Sequence, residues 1–295
     1  MVKLHGCGTA IVTPFRADGS VDEKALRGLV AWQVESGIDF LVPCGTTGET
    51  PTLTHEEWRM VVETTVEVAA GRVPIVAGAT SNCTAEAVQK VSEISRVKGV
   101  DAILSASPYY NKPTQEGQFQ HFKAVAEASA KPIVVYNVPG RTGVNVDPAT
   151  LFRLSQLPNI FAVKEASGNL GQIADVCNLL PKDFTVLSGD DALTLPVISV
   201  GGVGVISVAS NAIPKEMSEL TRAALNNDWK NARAMYHKYL PLMQANFIES
   251  NPMPIKAVLA MMGRIEENYR LPLVKMKTET RAKLELVARG CGVIS

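Results

Sequence analysis

The stretch GTAIVTPFRADG, residues 8–19, decides the fold class. Its first part, GTAIVTP (8–14), is a β-branched apolar run of strand length that ends at proline. In an open doubly wound sheet the first strand would lead into a dinucleotide-binding G-x-G-x-x-G, and the chain reads TPFRADG there instead. Runs of the same kind recur as DFLVPCG (39–45), PIVAGAT (74–80), DAILSAS (101–107), PIVVYNV (132–138), IFAVKEA (160–166), FTVLSG (184–189) and GVISVAS (204–210). Helical patterns lie between them, among them EKALRGLVAWQVES (23–36), HEEWRMVVETTVEVAAG (55–71), AEAVQKVSEISRVKG (85–99) and GQFQHFKAVAEASA (117–130). Strands that are apolar at nearly every residue belong to a parallel sheet covered by helices. Eight of them at a spacing of roughly 25–35 residues match a (β/α)8 TIM barrel, which typically occupies about 250 residues. The open sheet is the runner-up.

After residue 225 the rhythm changes. NDWKNARAMYHKYLPLMQANF (227–247), PMPIKAVLAMMG (252–263) and KTETRAKLELVARG (277–290) read as helices with prolines at their boundaries. The expected organisation is an α/β barrel over 1–225 that carries the active site and a C-terminal helical appendage over 226–295. No flexible linker separates the two, so they are expected to pack closely.

Composition narrows the function. The 295 residues carry 29 basic and 29 acidic side chains, which leaves no net charge to attract nucleic acid or an anionic membrane surface. The most apolar stretch, PVISVGGVGVISVA (196–209), is too short and too broken by glycine to span a bilayer. MVKLHGCGTAIVTPF (1–15) lacks the apolar core of a signal peptide. The cysteines (Cys7, Cys44, Cys83, Cys177, Cys291) are scattered, with no C-x-x-C pair, which argues against a disulfide framework and fits a reducing compartment. A cytoplasmic location is expected. The histidines (His5, His55, His121, His237) form no pair at metal-ligand spacing, and HEEWR (55–59) has arginine where a zinc-protease helix needs its second histidine.

Barrel active sites lie where strands end and the following loops begin. Those positions read GTTGE (45–49), SPYYNKP (107–113), YNVPGRTG (136–143), KEASGN (164–169) and SGDD (188–191). Lys164 closes the apolar run IFAV. Desolvated there, its amine would have a lowered pKa and could attack a carbonyl; solvated, it would pair with Glu165 or another carboxylate. Tyr136 reads either as a proton donor in a hydrogen-bond relay or as a packing aromatic. The pair Tyr109–Tyr110 suits a ligand site or a subunit contact equally. The backbone N–H groups and hydroxyls of GTTGE can hold a small carboxylate, or form an ordinary tight turn. Arg141 can grip a carboxylate with two parallel bonds, or make a surface salt bridge. Asp190–Asp191 reads first as an exposed acidic cap of the helix that follows. GGVG (201–204) precedes its strand and so belongs to the opposite end of the barrel.

In combination and in this order, GTTGE, SPYYNKP, YNVPGRTG and VKEASGN resemble the Schiff-base-forming family of dihydrodipicolinate synthase and N-acetylneuraminate lyase. The resemblance runs from GTAIVTPF (8–15) through GGVGVISVASN (201–211), and the helical tail matches that family's C-terminal part. It implies that Lys164 forms an imine with pyruvate, whose carboxylate rests on the Thr46–Thr47 turn. It further implies that the derived enamine attacks L-aspartate 4-semialdehyde, on the route to diaminopimelate and lysine. Arg141, in P-G-R-T, points to the synthase branch, where that arginine receives the semialdehyde carboxylate; sugar-acid lyases typically lack it. Tyr136 is implied as the general acid/base, linked through the Thr46 hydroxyl to Tyr110, which the family supplies from the neighbouring subunit of a tight dimer. Gly189 and Ile206 would line the pyruvate pocket. No metal or organic cofactor is implied, and the expected assembly is a homotetramer of tight dimers.

The resemblance also places a regulatory lysine site at His55, Asn82, Glu86 and Tyr109, although Trp58 stands where some inhibited members carry a histidine. Two other readings are weighed against the synthase. One is a pyruvate-dependent sugar-acid or hydroxy-acid aldolase with the same imine chemistry. The other is a catalytically silent, ligand-sensing oligomer, which would require loss of Lys164, Tyr136, Thr46 or Tyr110, and all four are present.

Overall fold

The computed structural model describes residues 2–295. The apolar runs form strands β1 (Gly6–Ala10), β2 (Phe40–Val42), β3 (Val76–Gly78), β4 (Ala102–Ala106), β5 (Ile133–Asn137), β6 (Ile160–Glu165), β7 (Thr185–Ser188) and β8 (Gly204–Ser207). All ladder pairs are parallel, in the order β2-β1-β8-β7-β6-β5-β4-β3. The remaining seam, between β2 and β3, is bridged by the Leu41 N–H to the Pro74 carbonyl at 3.0 Å and the Gly78 N–H to the Pro43 carbonyl at 2.9 Å. The eight strands thus enclose a barrel.

Period-two alternation divides each strand between two apolar cores. Phe40, Val42, Leu104, Val134, Leu187 and Ile206 face inward and fill the barrel. Leu41, Ile103, Ile133, Val135, Val163 and Val205 face outward, against the helices. Helices α1 (Glu23–Glu35), α2 (His55–Ala69), α3 (Thr84–Ile94), α4 (Gln115–Ala128), the short α5 (Pro139–Thr142), α6 (Pro148–Ser155), α7 (Leu170–Leu179), α8 (Thr194–Ser199) and α9 (Pro214–Leu225) make the outer layer. Local chemistry starts several of them. Thr54 and Glu57 form a reciprocal capping box on α2, and Thr114 and Asn169 cap α4 and α7.

Every strand stops short of the run that predicts it, and in β1 and β8 a captured backbone accounts for the early stop. β1 ends at Ala10 because the Asn211 side chain then takes over, accepting the Val12 N–H and donating to the Ala10 carbonyl. β8 ends at Ser207 because the Asp191 carboxylate captures the Val208 and Ala209 N–H groups and turns the chain into a short 3-10 segment, Ala209–Asn211.

Beyond α9 come α10 (Trp229–Ala245), α11 (Met253–Met261) and α12 (Thr278–Gly290). Leu242, Met243, Ile255, Val258, Leu259 and Leu284 join the same apolar core as the outward strand residues. Pro241 sits inside α10 rather than at its boundary. It is exposed, as is His237, whose carbonyl loses its helical partner, so water can satisfy that carbonyl. Among the described residues no helix is long and apolar enough to cross a membrane.

The seam leaves no room for a side chain at its closing residue. A Cβ on Gly78 would lie 1.9 Å from the Cys44 carbonyl oxygen, a backbone atom that cannot yield without opening the barrel. Gly78→Ala is therefore expected to lower unfolding stability by about 2–3 kcal/mol in urea titrations. Wild-type stability in this variant would mean that β2 and β3 are not locked together here.

Candidate active site

β5 and β6 pair in parallel with Tyr136 opposite Lys164. Alternation sends the Tyr136 side chain into the barrel and brings the Lys164 amine to 4.3 Å from the centre of its ring. Lys164 is only 5% exposed. The alternative pairing with Glu165 does not occur. Glu165 is turned to Asn137, whose amide donates to its carboxylate at 3.1 Å, and to the Ser167 N–H at 2.7 Å. No salt bridge among the described residues includes Lys164. Loss of solvation pulls its pKa down to about 7; the Asp191 carboxylate opposes this and the Arg141 charge adds to it.

The loop after β7 supplies the space around that lysine. A Cβ on Gly189 would come within 3.1 Å of Lys164 Cε and 2.7 Å of Ala166 Cβ, so glycine is needed there for the lysine to lie as it does. Of the two aspartates that follow, Asp190 behaves as the expected cap and accepts the Ala192 N–H at 2.9 Å. Asp191 departs from that reading: it is buried, and burial pushes its carboxyl up to about 6. Its Oδ2 holds the two loop N–H groups after β8, while Oδ1 has no protein partner. Ile206, on β8, lies fully buried in the inward core that includes Tyr136.

GTTGE folds as a tight 3-10 turn over Thr46–Gly48. The Thr13 hydroxyl donates to the Gly48 carbonyl at 2.7 Å, and the Thr50 hydroxyl to the Gly45 carbonyl at 3.0 Å. Thr47 is buried and accepts a bond of 3.0 Å from the Asn251 side-chain amide. Thr46 lines a cavity of about 240 Å³ together with Tyr109, Tyr136, Arg141, Thr80 and Lys90. Lys164 is not part of that wall, but the Tyr136 ring it lies against is. Burial pushes the Tyr136 phenol up, with the Arg141 charge and a Thr46 hydrogen bond acting in the opposite direction. Arg141, exposed on α5, donates to the Asn251 carbonyl at 3.3 Å.

Lys164, Tyr136, Thr46, Thr47, Arg141 and Gly189 thus share one end of the barrel. Tyr110 does not join them within one chain: it is 87% exposed and held at a φ of 75°. Of the four regulatory positions, Tyr109 lines the cavity. His55 pairs with Glu93 at 3.0 Å, the Ser81 hydroxyl donates to Glu86 at 2.8 Å, and the Asn82 carbonyl accepts from Asn111 at 2.9 Å. Trp58 is a core residue whose indole N–H donates to the Gly78 carbonyl at 2.9 Å. No group of three or more His, Cys, Asp or Glu among the described residues is placed to hold a metal ion.

The sequence reading missed Glu49, Asn251, Lys256 and Lys90. Glu49 closes the GTTGE motif, where the hydroxyls and backbone N–H groups are the evident ligand-binding groups. Asn251 and Lys256 lie more than 200 positions away from the turn they touch. Lys90 reads as an ordinary solvated helix residue, and only the packed helix places it on the cavity wall.

The sequence model of the Dihydrodipicolinate synthetase family matches residues 3–289. A 4-hydroxy-tetrahydrodipicolinate synthase of Koribacter versatilis is 71% identical over 293 residues, covering 99% of this chain and 98% of its own. One of Acidobacterium capsulatum is 56% identical, covering 99% and 97%. The crystal structure of the chloride-inhibited dihydrodipicolinate synthase of Acinetobacter baumannii, complexed with pyruvate, superposes with a TM-score of 0.97 at 41% identity and covers 99% of this chain and 100% of that one. A barrel carrying a buried, unpaired lysine beside a strand-end tyrosine, matched along its whole length by these proteins, belongs to the dihydrodipicolinate synthetase family.

Proposed function

We propose that this chain is a 4-hydroxy-tetrahydrodipicolinate synthase that condenses pyruvate with L-aspartate 4-semialdehyde through an imine on Lys164. The observation that carries the reading is the burial of Lys164 without a counter-ion, its amine against the ring of Tyr136. Such an amine is neutral for much of its time near pH 7 and therefore nucleophilic.

Pyruvate sits with its carboxylate on the Thr46–Thr47 turn. The Lys164 nitrogen bonds to the keto carbon, and the keto oxygen leaves as water to give the protonated imine. That cation draws electrons from the methyl C–H bond, a proton departs, and an enamine forms. The enamine carbon bonds to the aldehyde carbon of the semialdehyde, whose oxygen takes up a proton. The semialdehyde's own amine then attacks the imine carbon and releases Lys164, which closes the ring. Tyr136 gives and takes these protons, with Thr46 as its relay. Arg141 receives the semialdehyde carboxylate, and Gly189 and Ile206 bound the pyruvate pocket.

Tyr110 completes the relay from a neighbouring subunit. An aromatic side chain projecting into solvent beside the cavity, on backbone strained at positive φ, supports that role. The assembly is accordingly a tight dimer, paired again into a tetramer. Lysine binding at His55, Asn82, Glu86 and Tyr109 is the regulatory part of the same reading.

Borohydride reduction in the presence of pyruvate should leave one reduced pyruvyl group, mapped by peptide mass spectrometry to Lys164. Its rate should climb about tenfold per pH unit on the acid side and level off above pH 7–8, as the neutral amine becomes the main form. An adduct on another lysine, or none, sinks the proposal. Faster turnover of sugar aldehydes than of aspartate semialdehyde would replace it with the sugar-acid aldolase.

Asp191→Asn should move the inflection of that profile to lower pH, because the carboxylate holds the Lys164 pKa up and its removal leaves burial less opposed. An upward shift would show that Asp191 does not act on Lys164 in this way. Arg141→Ala should raise KM for the semialdehyde by about 10–100-fold, the value of a charge-assisted contact, with pyruvate adduct formation within about threefold of wild type. Steady-state kinetics with each substrate varied separately checks both parts.

A further inference from the structure

Glu49 ends the GTTGE turn, its N–H closing on the Thr46 carbonyl at 3.1 Å. Its backbone lies in the left-handed region, at φ 54° and ψ 33°, which a residue with a Cβ adopts only when its surroundings hold it there. What holds it is a buried ion pair. The Glu49 carboxylate meets the Lys256 amine at 2.6 Å, and the two side chains are 1% and 0% exposed. The Lys256 amine is enclosed by the rings of Phe15 at 4.3 Å and Tyr269 at 5.3 Å, and the Thr52 hydroxyl donates to the Glu49 carbonyl at 3.0 Å. Arg270 stacks on the same Phe15 ring and bonds Glu57 at the start of α2, which fixes the wall behind the pair.

Lys256 belongs to α11, and Asn251 lies just before that helix. One short segment therefore grips the turn twice, Asn251 on Thr47 and Lys256 on Glu49, and touches Arg141 as well. Buried ion pairs are a poor source of stability, since apolar residues of similar volume often do as well or better. Their bonds, however, are short and directional, and apolar packing is not. A turn that must present hydroxyls and N–H groups to a small carboxylate gains from such an anchor, because displacements of about 1 Å are costly at a reacting centre.

We infer that Glu49 and Lys256 are positioning residues for the pyruvate-binding turn, setting the place of Thr46 and Thr47 through their ion pair. The inference rests on the reading of that turn given above.

The test uses Glu49→Gln, Lys256→Met and the double variant Glu49→Leu/Lys256→Met in the full-length chain. The readouts are the pyruvate concentration that half-saturates borohydride trapping on Lys164, KM for the semialdehyde and the melting temperature. Expected is a rise of about tenfold or more in the pyruvate requirement in all three, with KM for the semialdehyde within about threefold of wild type. The double variant should recover melting temperature relative to Lys256→Met, which leaves a carboxylate buried alone, yet not recover pyruvate affinity. A folded double variant that takes pyruvate as the wild type does would overturn the inference, as would equal losses for both substrates. Should the double variant not fold, Glu49→Gln decides alone: unchanged pyruvate affinity overturns the inference and a selective loss supports it. Failure of the wild-type chain to form an adduct would instead overturn the reading of the site itself.

Discussion

A lysine amine enclosed by a parallel barrel, with no carboxylate bonded to it, is the condition that the surrounding structure has to maintain. Burial alone disfavours its charged form, and a single close carboxylate would reverse that effect. The chain places Glu165 directly after Lys164, where pairing would be easiest. Strand alternation turns that carboxylate out of the barrel, to Asn137 and the Ser167 N–H. The alternation that builds the two cores is thus also what keeps the amine unpaired.

The other buried carboxylates near the site are committed elsewhere in the same manner. Asp191 holds the backbone as it leaves β8, and Glu49 is taken by Lys256. Asp191 remains near enough in charge to temper the depression of the Lys164 pKa without bonding to it. The balance between burial and this distant charge leaves the amine neutral for part of its time near pH 7, as the proposed imine chemistry requires.

The C-terminal helices do more than cover the barrel. Their apolar residues share its outer core, and the segment from Asn251 to Lys256 reaches the mouth, where it bonds Thr47, Glu49 and Arg141. The turn proposed for pyruvate and the arginine proposed for the semialdehyde are therefore registered against a single piece of chain. Tyr110, by contrast, has no such anchor within its own chain beyond a backbone bond to Thr142.

Much of this was legible in the residues themselves. The eight apolar runs specified the barrel because fully covered parallel strands need apolar side chains on both faces, and the strand ends already displayed Lys164, Tyr136, Arg141 and GTTGE. Strand ends were less legible, since β1 and β8 are cut short by side chains of Asn211 and Asp191 that pattern alone does not reveal. Tyr110 could be named from resemblance, yet a single chain leaves it exposed. Periodicity reports which face a residue takes, because neighbours along the chain determine it. The choice between Glu165 and solitude for Lys164, the burial of Asp191, and the grip of Asn251 and Lys256 on a turn some 200 residues away depend on which surfaces meet, and only the folded chain decides that.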